Sequence, residues 1–515
     1  MSVDTIGADA RPALKWLAMA TVMIGFMSAI LASTMINVAI PDIMGTFGVG
    51  QDVAHWMSTG FLSAMTVAML LNAFLAGRLG PQLTYLLAIA VFTAASVIGM
   101  VATSIDLVIF ARIAQGACAG LLQPLAITVI YPAFPPEERG KAMGILSMGI
   151  VLGPALGPTV GGLIVDEFGW RPVFVASLPF MAIGALMAMR WMPRYAIGAE
   201  NRPFNWISFA LVTAAVAAIL TGLSNSHRLG WDSALVVGCL LICALSTLAF
   251  IAWEATSRNP LLQVRLFTDR NFLLMSIIGF IFGAGMFASF YLIPLFVRTV
   301  QGVDATTAGL ILMPGGLVLV ALFPISGILA QRMPAQATIG AGLIIFGVGT
   351  VAMAVADTNT SFAMVAFLST VGRLGLGVAM PSMQLHGLRS LSPAMLAYGA
   401  GTMNFLRQLG GALGTNASAI ILETRAETHR EVLLTTQTAH NPATAEWLRR
   451  VGELLDQAGV AGIERLPATF GYLVRTMLAQ ANTLSYQDAF AMLGMLFFVA
   501  LIPAAFLKGG TAQRR

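Results

Sequence analysis

The chain of 515 residues is 57% hydrophobic and 10% charged, with a mean hydropathy of +0.83, whereas soluble domains carry roughly 25% charged residues. So few charges cannot cover a water-soluble protein of this size, and most of its surface must face lipid. A net charge of +5 does not indicate nucleic acid, because no basic patch interleaves with aromatics.

Apolar stretches of about twenty residues, long enough to cross a ~30 Å hydrocarbon core, recur from end to end. In chain order they cover 14–36, 56–76, 83–103, 107–129, 141–164, 172–191, 206–225 and 233–253, then 271–297, 306–330, 336–356, 361–385, 396–422 and 485–507. These predict an all-α membrane protein of fourteen spans. The first run is too long for a cleavable leader, and Asn37, Pro41 and Asp42 follow it without an A-x-A site. An even number of spans puts both termini on one side, and Lys and Arg decide which. Arg11, Lys15, Arg78, Arg139, Lys141, Arg332, Arg389, Lys508, Arg514 and Arg515 fall on the side of the termini; the short loops opposite hold Arg171, Arg228 and Arg298. Both termini are therefore expected in the cytoplasm.

Residues 423–484 are expected to form one long outer loop. Within it, Ala443–Val460 places Trp447, Leu448, Val451, Leu454 and Leu455 on one helical face, opposite Arg449, Arg450, Glu453 and Asp456. A second amphipathic stretch follows Pro467. Such a pair can rest on the membrane or other loops, or dock a periplasmic partner.

The chain also repeats itself. Gly153-Pro154-Ala155-Leu156-Gly157 matches Gly410-Gly411-Ala412-Leu413-Gly414 at an offset of 257, which also pairs Gly120 with Gly377, Pro124 with Pro381 and Pro136 with Pro393. At an offset of 254, Leu75-Ala76-Gly77-Arg78 matches Leu329-Ala330-Gln331-Arg332. The expected organisation is a six-helix half over 1–191, two inserted helices and linkers over 192–270, and a second six-helix half over 271–515. Parallel halves of this kind hold a site near the membrane midplane between them.

Arg112-Ile113-Ala114-Gln115-Gly116, with Gly120 and Pro124, and Gly153-Pro154-Ala155-Leu156-Gly157-Pro158, with Gly161-Gly162, are motifs similar to those of a known group. Trp170-Arg171 with Phe174, and Asn404-Phe405-Leu406-Arg407-Gln408-Leu409-Gly410-Gly411, agree with it. The sequence resembles the fourteen-helix drug:proton antiporter branch (EmrB/QacA type) of the major facilitator superfamily, over nearly the whole chain. That resemblance implies a major facilitator fold, residence in the bacterial inner membrane, and secondary efflux of small amphipathic compounds. It also implies a periplasmic membrane-fusion adaptor and outer-membrane channel as partners, with no cofactor, and gives Arg112 a part in proton coupling. Gln115, Asn37, Asn404, Arg407 and Arg373 are the other transport candidates, and Arg78 the inner-gate candidate.

Gly149, Gly153, Gly157 and Gly161 recur every fourth residue and form a bare stripe that lets a neighbouring helix approach closely. Pro154 and Pro158 weaken the helix there. The resemblance makes this stripe a bendable contact between halves; packing alone is the plainer reading.

Two departures stand out. Where the family keeps an acid in its first helix, this chain reads Leu31-Ala32-Ser33-Thr34, and in the loop after the second it reads Ala73-Phe74-Leu75-Ala76-Gly77-Arg78-Leu79-Gly80-Pro81, without the usual Asp and second Arg. None of the 23 Asp and Glu lies deep in a span, so Arg112, Arg373 and Arg407 have no embedded counter-charge. The Arg surplus tilts the expected substrate toward anionic or neutral compounds. Remaining proton carriers are Asp106, Asp166, Glu254 and His386. Two alternatives stand beside efflux of many compounds: export of one specific endogenous lipid or metabolite, and, admitted by the missing acid, a vestigial membrane assembly subunit that anchors a periplasmic adaptor through 423–484. No G-x-x-x-x-G-K-[ST] loop serves an ATP-driven pump, and five His form no catalytic cluster. Cys118, Cys239 and Cys243 lie in apolar runs and read as small hydrophobes.

Overall fold

In a computed structural model, residues 12–54, 56–194, 203–257, 259–389, 391–392, 395–438 and 441–507 are described. Pro393, Arg11, Lys508, Arg514 and Arg515 lie outside that set. The first helices are α1 (Pro12–Phe47), α2 (Trp56–Leu79, with a 3-10 turn at Met69–Leu71), α3 (Pro81–Met100), α4 (Ile105–Ala133), α5 (Pro136–Phe168) and α6 (Leu178–Trp191). Then follow α7 (Trp206–Leu229), α8 (Ala234–Thr256), α9 (Arg270–Thr299), α10 (Met313–Arg332), α11 (Ala335–Ala352) and α12 (Phe362–Gly387). The chain ends with α13 (Leu396–Thr436), α14 (Pro442–Gln457) and α15 (Gly462–Ala505).

Local chemistry sets several starts. Ser104, Ser233, Asp269 and Ser361 each accept a hydrogen bond from a backbone N–H in the first turn of the helix they precede, which satisfies a donor that would otherwise be orphaned. Gly80 and Gly169, at φ +81° and +79°, end α2 and α5.

Twelve helices among the described residues are long and apolar enough to cross a membrane. The fourteen expected spans are not matched by that number. All fourteen stretches are helical, but α5 and α13 stand outside the twelve. Both are rich in glycine, and α13 carries Asn404, Arg407, Gln408 and Asn416 in its first half. The lipid-facing character of the rest is clearest on α8, where Leu241, Leu245, Leu248 and Ile251 are each more than half exposed. A soluble monomer rarely shows apolar patches larger than a few hundred Å².

The helices pair in a repeated pattern. α1 packs on α5 and α9 on α13, α2 on α4 and α10 on α12, α3 on α4 and α11 on α12. The glycine contacts repeat as well. A Cβ on Gly153 would strike Ile30 and one on Gly157 would strike Thr34; one on Gly410 would strike Phe280 and one on Gly414 would strike Ala284. Likewise Gly120 abuts Met65 and Gly377 abuts Leu319, so helix backbones approach at matching places in both sets. α7 packs on α8 and touches α2 and α13.

The stretch 423–484 is not a loop. α13 runs on to Thr436 and α15 starts at Gly462, with α14 packed against α15. At 1.5 Å per residue, α15 is too long for the ~40–45 Å of a whole bilayer, so part of it stands clear. Asp488 ties α15 to α13 through Arg425 at 3.4 Å and His429 at 2.8 Å.

Candidate substrate site and buried arginines

Arg112 sits mid-α4 at 1% exposure. Its Nη1 donates to Gln115 Oε1 at 3.0 Å, Nη2 to the Ser33 carbonyl at 3.3 Å, and Nε to the Met57 carbonyl at 3.4 Å. The guanidinium lies 4.3 Å from the centroid of Phe61, a favourable place for a cation. Gln115 Nε2 donates onward to Ser96 Oγ at 2.8 Å. The charge is thus spread over carbonyls, an amide and a ring from α1, α2, α3 and α4. Asn37 does not join this cluster; it is exposed and accepts from Ser58 Oγ at 3.3 Å.

Arg407 and Asn404 do meet. Arg407 Nη2 donates to Asn404 Oδ1 at 2.6 Å, and Asn404 Nδ2 to the Ala400 carbonyl at 2.8 Å. Both line a cavity of about 30 Å³ walled by Ile127 of α4, Gly279 and Phe282 of α9, Met380, Met383 and Gln384 of α12, Leu388, and Ala400 and Met403 of α13. Three methionines and one phenylalanine make its walls apolar and adaptable. Gln384 is buried, yet neither its Oε1 nor its Nε2 has a hydrogen-bond partner. The sequence reading missed this residue. The signal was a lone amide in the otherwise apolar run Met380-Pro381-Ser382-Met383-Gln384-Leu385.

Arg373 lies elsewhere, among α9, α11, α12 and α15. Its Nη1 donates to Ser289 Oγ at 3.4 Å, and its guanidinium stacks 3.7 Å from the Phe290 centroid.

The glycine stripe faces α1, where Gly149 meets Met27, Gly153 meets Ile30, Gly157 meets Thr34, and Gly161 meets the Met35 carbonyl. It is therefore not the contact between the two helix sets that the resemblance implied. That close approach is made one turn and more before it: a Cβ on Gly140 would lie 2.0 Å from the Gly327 carbonyl, and one on Gly144 2.3 Å from that of Phe323. The side chains of Pro154 and Pro158 are outside the described set, while the helix continues through both. Arg78 is exposed, over the Phe74 ring at 5.9 Å, and Gln331, its neighbour in the repeat, donates to the Pro136 carbonyl at 3.1 Å.

The proton-carrier candidates divide. Glu254 is buried and fully occupied, taking Ser208 Oγ and the Leu262 N–H, each at 2.5 Å. His386 Nδ1 pairs with Ser382 within α12. Asp106 and Asp166 sit near helix ends.

Residues 22–415 match the profile of the Major Facilitator Superfamily. The chain belongs to that family. An MFS-type transporter of Bacillus subtilis, YhcA, whose function is uncharacterized, is 28% identical over 94% of this chain and 91% of its own length. The multidrug export protein EmrB of Escherichia coli K12 is 27% identical over 92% and 91%, and the lincomycin resistance protein LmrB of Listeria monocytogenes 26% over 79% and 86%. The human organic anion transporter TETRAN has a similar fold, at TM-score 0.62 and 14% identity over 96% of this chain and all of that one. So does the proton:xylose symporter XylE, at 0.61 and 12% over 96% of both. This family member is a multi-pass membrane transporter, not an enzyme.

Proposed function

We propose that the protein is a secondary exporter of small amphipathic compounds, of the fourteen-helix efflux branch. The observation that carries this reading is the cavity at Gln384, Asn404 and Arg407. It joins unpartnered amide atoms and a guanidinium to a methionine-lined wall, as an amphipathic guest requires. The export and resistance proteins among the relatives support the direction of transport.

In this reading, residues 1–191 and 271–515 are two halves, with α7 and α8 inserted at their seam and both termini cytoplasmic in a bacterial inner membrane. α5 and α13 complete the fourteen crossings. Gly140, Gly144, Gly327 and Gln331 hold the inner junction in place of the family's charged latch. The positive charge of Arg407 favours neutral or anionic guests. The protruding ends of α13 and α15, with α14, offer a periplasmic adaptor a surface on which Ile463, Leu466 and Phe470 are exposed.

Arginine stays protonated and cannot shuttle a proton, and α1 carries Ala32, buried, where the family keeps an acid. Export in proteoliposomes is therefore expected to change little with an imposed pH gradient. Steep dependence, removed by substituting Asp106, Asp166 or His386, would place the proton site there and overturn the weak coupling. No export of cationic, neutral or anionic amphipaths under any gradient would overturn the exporter reading itself.

A further inference from the structure

Arg112 and Arg373 sit on corresponding helices, α4 and α12, but at different registers: at the offset of 257 Arg112 corresponds to Ser369 and Arg373 to Gly116. At the offset of 254 Ser96 corresponds to Thr350, and at 257 Gln115 corresponds to Gly372. On α4 the amide of Gln115 bridges the arginine and Ser96. On α12 no amide stands at Gly372, and a small cavity of about 10 Å³ is bordered by Ser289, Gly349, Thr350, Ser369, Gly372 and Arg373.

Two polar atoms at this cavity have no partner. Arg373, 2% exposed, leaves Nη2 unbonded, and Ser369, 3% exposed, leaves Oγ unbonded. The other hydroxyls are committed, Ser289 to the Met286 carbonyl at 2.8 Å and Thr350 to the Phe346 carbonyl at 2.8 Å. What is left over is a positive charge and N–H and O–H donors, and no Asp or Glu borders the cavity. A buried, uncompensated guanidinium is costly. A group that accepts from Arg373 Nη2 and Ser369 Oγ would satisfy both donors, and only an anion also supplies the missing counter-charge.

We propose that this cavity binds a small inorganic anion of the chloride type, held by Arg373 Nη2 and Ser369 Oγ with the Phe290 ring behind the guanidinium. The ion neutralises a charge within the C-terminal helix set, separate from the cavity at Gln384, and its binding does not depend on the export reading.

The test uses purified full-length protein in detergent micelles. Thermal stability is measured as sodium gluconate is replaced by sodium chloride at constant ionic strength, with sodium phosphate as a second arm, and bound chloride is counted with a radioactive tracer. A saturable rise in Tm with chloride, and one tracer ion per chain, are expected. Both should vanish in Arg373→Gln and persist in Arg112→Gln. Should Arg373→Gln fail to fold, Ser369→Ala decides, with chloride binding expected about tenfold weaker for one lost charge-assisted hydrogen bond. A wild-type Tm indifferent to chloride, a response surviving in Arg373→Gln, or unchanged binding in Ser369→Ala would overturn the proposal. A response to phosphate in place of chloride would overturn its choice of ion.

Discussion

Arg112 and Arg373 are both fully buried arginines on matching helices, and they solve the same problem differently. Arg112 spends its donors on the Ser33 and Met57 carbonyls and on Gln115, which Ser96 holds in turn. Arg373 has one serine, one ring and an unbonded Nη2 beside a cavity. The difference teaches that a buried charge in lipid can be carried by the protein's own dipoles if one amide side chain completes the circuit. Arg373 has no such amide partner, and space and unsatisfied donors appear together.

The contrast is sharpened most by removing Arg112. Arg112→Ala unlinks α1, α2 and α4 at one point, and loss of two to three hydrogen bonds to a charged group corresponds to an effect on the order of 100-fold. Export should fall by that much while membrane levels, read by immunoblot, stay normal. Lost expression would make the cluster purely structural, and retained export would deny it any role.

Next in size is Gln384, whose amide atoms border the cavity without a partner in the protein. Gln384→Leu should raise the KM for a polar amphipathic substrate about tenfold, the worth of one to two hydrogen bonds, with kcat nearly unchanged. Equal KM in wild type and variant would remove Gln384 from the site.

A smaller effect is expected from filling the cavity beside Arg373 from Gly372. A Cβ on Gly372 would meet nothing nearer than Thr350 Oγ1 at 4.0 Å, so Gly372→Gln can be accommodated. It should raise Tm by a few degrees, on the order of 1 kcal/mol in a large protein, and abolish the chloride response. A lower Tm with the chloride response intact would show that the cavity at Gly372 does not hold the ion.

The smallest change lies outside both sites, on α14. Hydrogen bonds from Arg449 and then Arg450 hold the Glu446 carboxyl at about 2. A depressed carboxyl stabilises fully above its unfolded value near 4.5 and loses that contribution as pH falls toward the folded value. The hydrogen-exchange protection of α14, corrected for the intrinsic pH dependence of exchange, should therefore fall between pH 4.5 and 2, and Glu446→Gln should flatten that profile; the group is exposed, so the change is slight.

Much of the architecture was legible because lipid imposes simple rules. Each of the fourteen apolar stretches became a helix, and the amphipathic stretch around Trp447 became α14, since backbone groups in hydrocarbon must be satisfied internally. The long loop was misjudged for a related reason. Residues 423–484 are polar enough to leave the membrane, but polarity does not say whether α13 and α15 stop at its surface, and both run on. The glycine stripe was legible as a close contact, but the partner it touches was not, because spacing reveals a bare face and not the neighbour pressed on it.

Sequence by itself determined the membrane solvent, the helix positions, the internal repeat and the three buried arginines, because each follows from periodicity, length or the cost of charge in lipid. Only the tertiary structure decided that Asn37 stands apart, that Glu254 is occupied, that Gln384 joins Asn404 and Arg407, and that Arg373 faces a cavity. Those outcomes depend on which side chains from separate helices arrive at the same few ångströms. A hydrogen bond is made or missed at that scale, and a one-dimensional pattern carries no distances between helices.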